Sequence, residues 1–226
     1  MTISDKIIMH EKLAISVKKM SKNYGGKNIL SECTFDLESG SKRALMGANG
    51  SGKTTLLNIL ATLTSPSSGD ACINGYSLKE NSNLLRAQIG VLSHIPMVYP
   101  DFSPRENLYF FGNLYNLTNL DKRVDEILHL SGLWNRRNEK TNVLSRGMHQ
   151  RLALGRAVIH NPKILLLDEP ETGLDTGGLE MLKTLVLENS NMTVIASTHN
   201  NKNAEIWADN LLTIYKGKIS THHLEK

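Results

Sequence analysis

The sequence predicts an α/β fold built around a buried, mostly parallel sheet. Three observations carry this. From Ser145 onward helical and strand patterns alternate: a helix, the strand Ile164–Leu167, a helix from Thr176 to about Leu187, a strand over 193–196, a helix near Ala204 and a strand over 211–214. The strands are continuous in aliphatic residues, as strands covered on both faces are. A further strand over 43–46 runs straight into a glycine-rich loop, and a helix over 54–61 follows with Leu56, Leu57 and Leu60 on one face.

The other elements fit around that frame. Residues 13–17 alternate apolar and polar, 34–37 follow after a turn at Gly25-Gly26, and Ser39-Gly40-Ser41 marks the next turn. Residues 65–69 read as a loop, and 71–73 before Asn74-Gly75 as half of a hairpin. The middle differs in texture and holds Pro96, Pro100 and Pro104. Ser103-Pro-Arg-Glu106 is a capping box with proline at the first helical position. Leu108, Phe111, Leu114 and Tyr115 follow at helical spacing, and a second helix fits 121–130 with Val124, Ile127 and Leu128 on one face. This reads as a small helical insert.

Composition narrows the class. The chain has 226 residues, 40% of them hydrophobic and 21% charged, which excludes disorder, collagen and a disulfide scaffold. No apolar run approaches the roughly 18 residues that span a bilayer, and the first dozen residues carry Asp5 and Glu11 without a secretory apolar region. Cys33 and Cys72 form no metal-type pair and are expected as reduced thiols. The net charge of +4 suits phosphate ligands, nucleic acid or an anionic membrane equally, but no basic block marks a nucleic-acid arm, so no nucleic-acid partner is expected.

Three motifs carry chemistry. Gly47-Ala48-Asn49-Gly50-Ser51-Gly52-Lys53-Thr54 matches the G-x-x-x-x-G-K-[ST] phosphate loop between a strand and a helix. Its glycines let backbone N–H groups converge on phosphate oxygens, the helix N-terminus adds positive charge, Lys53 reaches the β- and γ-phosphates, and Thr54 is placed to ligate Mg²⁺. A chance glycine-rich turn lacks these flanks. Asp168 ends the strand Ile164–Leu167, at the edge where open α/β sheets bind ligands, and is a candidate Mg²⁺ ligand. Glu169 beside it is placed to orient or deprotonate an attacking water. Adjacent carboxylates at a surface turn are usually just solvated; the phosphate loop upstream favours the catalytic reading. In Leu144-Ser145-Arg146-Gly147-Met148, Ser145 caps a long helix and Gly147 lets a ligand approach the backbone, although capping alone accounts for the pair taken in isolation.

With these motifs in this order, the sequence resembles an ATP-binding-cassette (ABC) transporter ATPase subunit over nearly its whole length. The resemblance implies a P-loop NTPase fold with a mostly parallel central sheet, an N-terminal antiparallel β subdomain and a helical insert. It implies one domain over 1–226: strands and P-loop core over 1–93, Q-loop and helical subdomain over 94–145, and the rest of the core over 146–226. It implies ATP and Mg²⁺ as ligands, Tyr24 stacking on adenine, Thr55 near the α-phosphate, Leu144 to Met148 as the signature, and Glu169 as the catalytic carboxylate. Thr172-Gly-Leu-Asp175 resembles the D-loop and His199 the switch histidine. In this family two cassettes face head to tail, so that the P-loop of one is closed by Ser145 and Gly147 of the other. A homodimer, or a pair with a related cassette, is expected on the cytoplasmic face of an integral membrane permease.

Three departures stand out. Arg146 and Met148 replace residues of the usual LSGGQ. His94 stands where a Q-loop glutamine is usual, and as a candidate catalytic residue its imidazole nitrogen is expected to take over one hydrogen bond to water or to sit beside Mg²⁺. Glu171 replaces a threonine or an aromatic. Half of the chain's Tyr, Phe and Trp residues fall between Tyr99 and Tyr115. Part of that cluster, Tyr99, Phe102 and Tyr109, is expected to be exposed and to receive the permease, the alternative being the insert's own core. The stretch around VLSH and ENLYFFGNLY is similar to exporter ATPases, of the haem-exporter or the broader ABC-2 type. A soluble ABC regulator is the other reading; a repair ATPase is excluded because the stretch from Thr54 to Ser145 is too short for a long coiled coil.

Overall fold

The computed structural model describes residues 13–79, 82–187, 189–199 and 207–223. Its first layer is an antiparallel sheet of four strands: β1 (Leu13–Tyr24), β2 (Lys27–Glu38), β4 (Ser68–Ile73) and β5 (Tyr76–Ser77), in the order β2-β1-β4-β5. The second is a six-stranded sheet in the order β10-β9-β3-β8-β7-β6, from β3 (Lys42–Met46), β6 (Ile89–Leu92), β7 (Ile164–Leu167), β8 (Thr193–Ser197), β9 (Asn210–Tyr215) and β10 (Lys218–His223). The five strands from β9 to β6 run parallel and β10 returns antiparallel.

Helix α1 (Lys53–Leu60) lies between the two sheets. Leu56, Ile59 and Leu60 are fully buried there with Ile15 and Leu30 of the first sheet and Leu45, Ile164 and Leu166 of the second. The opposite face of the large sheet presents Leu165, Leu167 and Val194 to α5 (Arg146–Val158) and α6 (Thr176–Leu187). Strand β7 therefore alternates its side chains between two cores, which is why its sequence is aliphatic throughout.

Between β6 and α5 come α3 (Pro104–Leu114) and α4 (Leu120–Leu130), after a short α2 (Ser82–Arg86) that precedes β6. Ser103 and Glu106 form the expected reciprocal capping box. Leu108, Val124, Ile127 and Leu128 pack into the same core as Leu152 and Leu154 of α5, so the insert shares a core with the helix that follows Ser145. Asn107, fully buried, accepts from Tyr99 N at 2.7 Å and donates to Tyr99 O, Ser103 O and Thr141 Oγ1, tying the 99–103 loop to the segment leading into Ser145.

Some expectations need correction. Leu114, grouped with the insert's apolar face, is 62% exposed, at the last residue of α3. Tyr109 is half-buried, with its hydroxyl donating to Asp121, while Tyr99 and Phe102 are exposed. The helix expected near Ala204 lies outside the described residues.

His160, just beyond α5, joins insert to core. Its ring stacks on Tyr115 at 3.8 Å between centroids and its Nε2 lies 3.1 Å from Ile89 O. Burial, aided by Arg156 and Arg123, pushes its pKa down from 6.5 to about 4. The native state thus holds His160 neutral, so its stabilising contribution is complete above pH 6.5 and is lost as the pH falls towards 4. We expect a loss of about 1–2 kcal/mol between pH 7 and pH 5 from this group. Thermal melts of His160→Phe should be flatter than wild type over that range; an unchanged slope would remove His160 as the cause.

Candidate nucleotide site

Parallel strands β3, β8 and β7 are neighbours, so their carboxyl ends emerge side by side. The loop leaving β3 is the glycine-rich segment. Gly47 has φ 153° and abuts Ile214 O, where an added Cβ would come within 2.6 Å, so a side chain there would push the loop off β9. Gly52 takes the left-handed conformation as N-cap of α1, and its N-terminus opens on the cleft.

Lys53 is 5% exposed and donates from Nζ to Gly47 O at 2.9 Å and Ala48 O at 3.3 Å. A buried ammonium held by its own loop's carbonyls is one that an anion can recruit. Ser51 Oγ is buried with no hydrogen-bond partner among the described residues. A ring of backbone N–H groups, a buried lysine and an unsatisfied hydroxyl fit a polyphosphate.

The floor of the cleft is built by β7 and β8. Thr54 Oγ1 donates to Asp168 Oδ2 at 2.8 Å, and Ser197 Oγ donates to Asp168 Oδ1 at 2.7 Å. Glu169 is a non-glycine residue in the left-handed region (φ 48°), and its carboxylate accepts from His199 Nε2 at 2.5 Å. Thr54 and Asp168 are hard oxygen donors at one point and fit Mg²⁺. Among the described residues no cluster of three or more His, Cys, Asp and Glu could hold a metal ion, so an ion here needs phosphate oxygens and water to complete its shell.

An open cleft of about 590 Å³ is lined by Tyr24, Lys27, Ile29, Asn49, Gly50, Gly52, Lys53, Thr54, Thr55, Glu169 and His199. It thus gathers most of the sequence-predicted residues. Tyr24 is half-exposed with Lys22 Nζ 4.7 Å from its ring centre, leaving an aromatic surface at the rim. Ala48 and Gly47 belong to the same loop.

Gly47, Ala48 and Ser51 of the loop and Asp168 of the floor border that lining, whereas four other predicted residues lie outside it. Ser145 is the N-cap of α5, with Oγ accepting from Met148 N at 3.3 Å. Gly147 lies against Asp175, whose Oδ2 would come within 2.6 Å of an added Cβ. Asp175 accepts from Gly178 N at 2.9 Å and pairs with Arg151 Nε at 3.3 Å. His94 stands exposed, two residues beyond β6. Ser145, Gly147 and Asp175 therefore form a second surface, apart from the cleft. Sequence reasoning missed two residues that shape these sites. Arg151 was visible only as one more cation of the α5 pattern, and Ser197 carries no motif signal at all.

A family model described as ABC transporter matches residues 30–172, and the chain belongs to that family. It is 33% identical over 208 residues to the ABC transporter ATP-binding protein YdbJ of Bacillus subtilis, covering 91% of this chain and 67% of that one. It is 34% identical over 210 residues to the Nod factor export ATP-binding protein I of Cupriavidus pinatubonensis, covering 90% and 64%. A solved ATP-binding cassette, in a dimeric post-hydrolysis state bound to ADP and Pi, superposes with a TM-score of 0.82 at 27% identity over 94% of this chain and 99% of that one. The fold and the phosphate loop are those of an ABC ATPase domain, and the chain is an ATPase.

Lys53→Ala should weaken nucleotide binding by about 10-fold or more, since it removes the one buried cation of the phosphate cradle. Equilibrium titration with a fluorescent ATP analogue measures this, and unchanged affinity would count against the cradle.

Proposed function

We propose that the chain is the ATPase subunit of an exporter, and that two copies enclose two ATP molecules while docked on an integral membrane permease. The observation that carries this is the separation of the two surfaces. The cleft holds everything needed to bind a triphosphate and activate water, while the capped helix at Ser145, itself an anion-binding terminus, is not in its lining. A second copy turned about a two-fold axis brings that terminus onto the first copy's nucleotide. The dimeric, ADP- and Pi-bound neighbour supports this arrangement.

In this reading Tyr24 stacks on adenine, and N–H groups of residues 47–52 together with Lys53 hold the β- and γ-phosphates, with Thr55 at the α-phosphate. Lys53 exchanges its two loop carbonyls for phosphate oxygens. Thr54 and Asp168 hold Mg²⁺, which, when bound, neutralises charge on the phosphates. Glu169 takes a proton from water as the water oxygen forms its bond to the γ-phosphorus, and the bond from that phosphorus to the β–γ bridging oxygen breaks, leaving ADP. His199 holds the Glu169 carboxylate towards that water. Ser145 and Gly147 of the second copy donate to the γ-phosphate, and Asp175 keeps the backbone at Gly147 fixed beneath them. Binding of ATP across both copies favours the closed pair, and loss of the γ-phosphate removes that preference.

The exporter reading is supported by the relatives' names, which include Nod factor export and linearmycin resistance proteins. The permease contact is supported by an apolar patch beyond β6. Ile95, Met97, Tyr99 and Phe102 are exposed, and Tyr99 packs on Phe102 and Phe110 at 5.1 and 4.9 Å between ring centres. Rigid aromatics beside His94, held by Asn107, suit a helix from a membrane subunit. Among the described residues no helix is long and apolar enough to cross a membrane.

Glu169→Gln should bind ATP as wild type does, turn over at least about 100-fold more slowly, and accumulate as a closed dimer on size-exclusion chromatography with light scattering. Rapid turnover in that variant would displace Glu169 from its role. Replacing Tyr99 and Phe102 together by Ser should abolish co-purification with the permease from membranes while leaving ATP binding intact; retained co-purification would move the dock elsewhere.

A further inference from the structure

The last residue of β8 and the two that follow it each hold one acidic side chain of the segment that follows β7. Ser197 Oγ donates to Asp168 Oδ1 at 2.7 Å, His199 Nε2 meets Glu169 Oε1, and Thr198 Oγ1 donates to Glu171 Oε2 at 3.0 Å. His199 lines the cleft, Ser197 is buried beneath it against Asp168, and Thr198 meets Glu171, one residue beyond Pro170.

Ser197 differs from its two neighbours in having two jobs. Its hydroxyl donates to Asp168 and at the same time accepts from the backbone N–H of Glu169 at 2.8 Å. It is fully buried. A serine hydroxyl has one hydrogen to give, and here it is given to the carboxylate oxygen that Thr54 leaves free. Asp168 is thereby fixed by two hydroxyls, one on each oxygen. The Glu169 peptide, in its left-handed conformation, is fixed by the same atom that fixes Asp168. One oxygen on β8 sets the relative placement of the metal-binding carboxylate and the water-activating carboxylate.

We propose that Ser197 is a positioning residue for ATP hydrolysis, orienting Asp168 towards the metal and Glu169 towards the attacking water without touching nucleotide. This rests on the reading of Asp168 and Glu169 given above. Without the hydroxyl, Asp168 keeps Thr54 alone as its side-chain partner and the Glu169 N–H loses its acceptor. Both changes act on catalysis and metal affinity, and neither acts on the phosphate loop.

The test uses the full chain with Mn²⁺ as the probe. Electron paramagnetic resonance titration measures Mn²⁺ affinity in the presence of a non-hydrolysable ATP analogue, beside steady-state turnover and metal-free nucleotide affinity. Ser197→Ala should weaken Mn²⁺ binding and lower kcat by about 10-fold each, as loss of a partner to a metal-binding carboxylate does. Metal-free nucleotide affinity should stay within about twofold, since the loop that grips phosphate is untouched. Ser197→Thr, which keeps the hydroxyl, should restore both quantities. Wild-type Mn²⁺ affinity and kcat in Ser197→Ala would overturn the proposal. So would a loss that Ser197→Thr fails to restore while its melting temperature matches wild type. If wild type itself shows no metal-dependent turnover, the assignment of Asp168 and Glu169 fails instead, a distinguishable result.

Discussion

The adjacency of β3, β8 and β7 in one parallel sheet is the constraint on which the rest depends. Parallel neighbours end at the same edge, so the phosphate loop, the Ser197–His199 segment and the Asp168-Glu169 pair emerge next to one another although they are far apart in the chain. The hydrogen bond from Thr54 to Asp168 joins the first turn of α1 to the end of β7 and closes the floor of the cleft. Slipping β8 by one residue against β7 would turn Ser197 away from the cleft and bring Thr198 into its place. The register that seals two apolar cores is thus the same register that aligns the polar edge.

That edge is built from side chains occupied with one another. Lys53 rests on its own loop, Asp168 on two hydroxyls, and Glu169 on His199. Each partnership holds a reactive group in place and each can be given up to a phosphate, an ion or a water. The second surface follows a different logic. Ser145 caps α5, Gly147 lies flush on Asp175, and Arg151 ties Asp175 back to the same helix. It offers a rigid terminus with exposed backbone donors. The buried Asn107 and Thr141 link the segment before this terminus to the Tyr99–Phe102 loop, so hydrogen bonds tie the apolar patch to the capped helix.

Much of this was legible in the sequence because local chemistry decided it. The phosphate loop, the Ser103 capping box, β7 and the Ser145 cap are set by residues within a turn or two of one another. What escaped depends on distant partners. Strand β1 continues through the polar run Ser21-Lys22-Asn23 to Tyr24 because β2 and β4 pair with it across register shifts that no pattern of side chains announces. Strand β6 is only four residues long, and polar β10 gains its hydrogen bonds from β9. Leu114 fits a helical face by spacing, yet it is the last residue of α3 and stands exposed. Ser197 is an unremarkable serine until sheet order sets it between Asp168 and the Glu169 peptide.

Hydrolysis as proposed requires that the cleft of one copy be completed by the capped helix of another. A crystal structure of the full chain with Mg²⁺ and a non-cleavable ATP analogue, checked by light scattering in the same solution, addresses this directly. The expected result is a two-fold pair in which Ser145 and Gly147 of each copy reach the γ-phosphate held by the other. A saturated nucleotide enclosed by a single chain, with Ser145 far from every phosphate and the protein monomeric even alongside its permease, would contradict it.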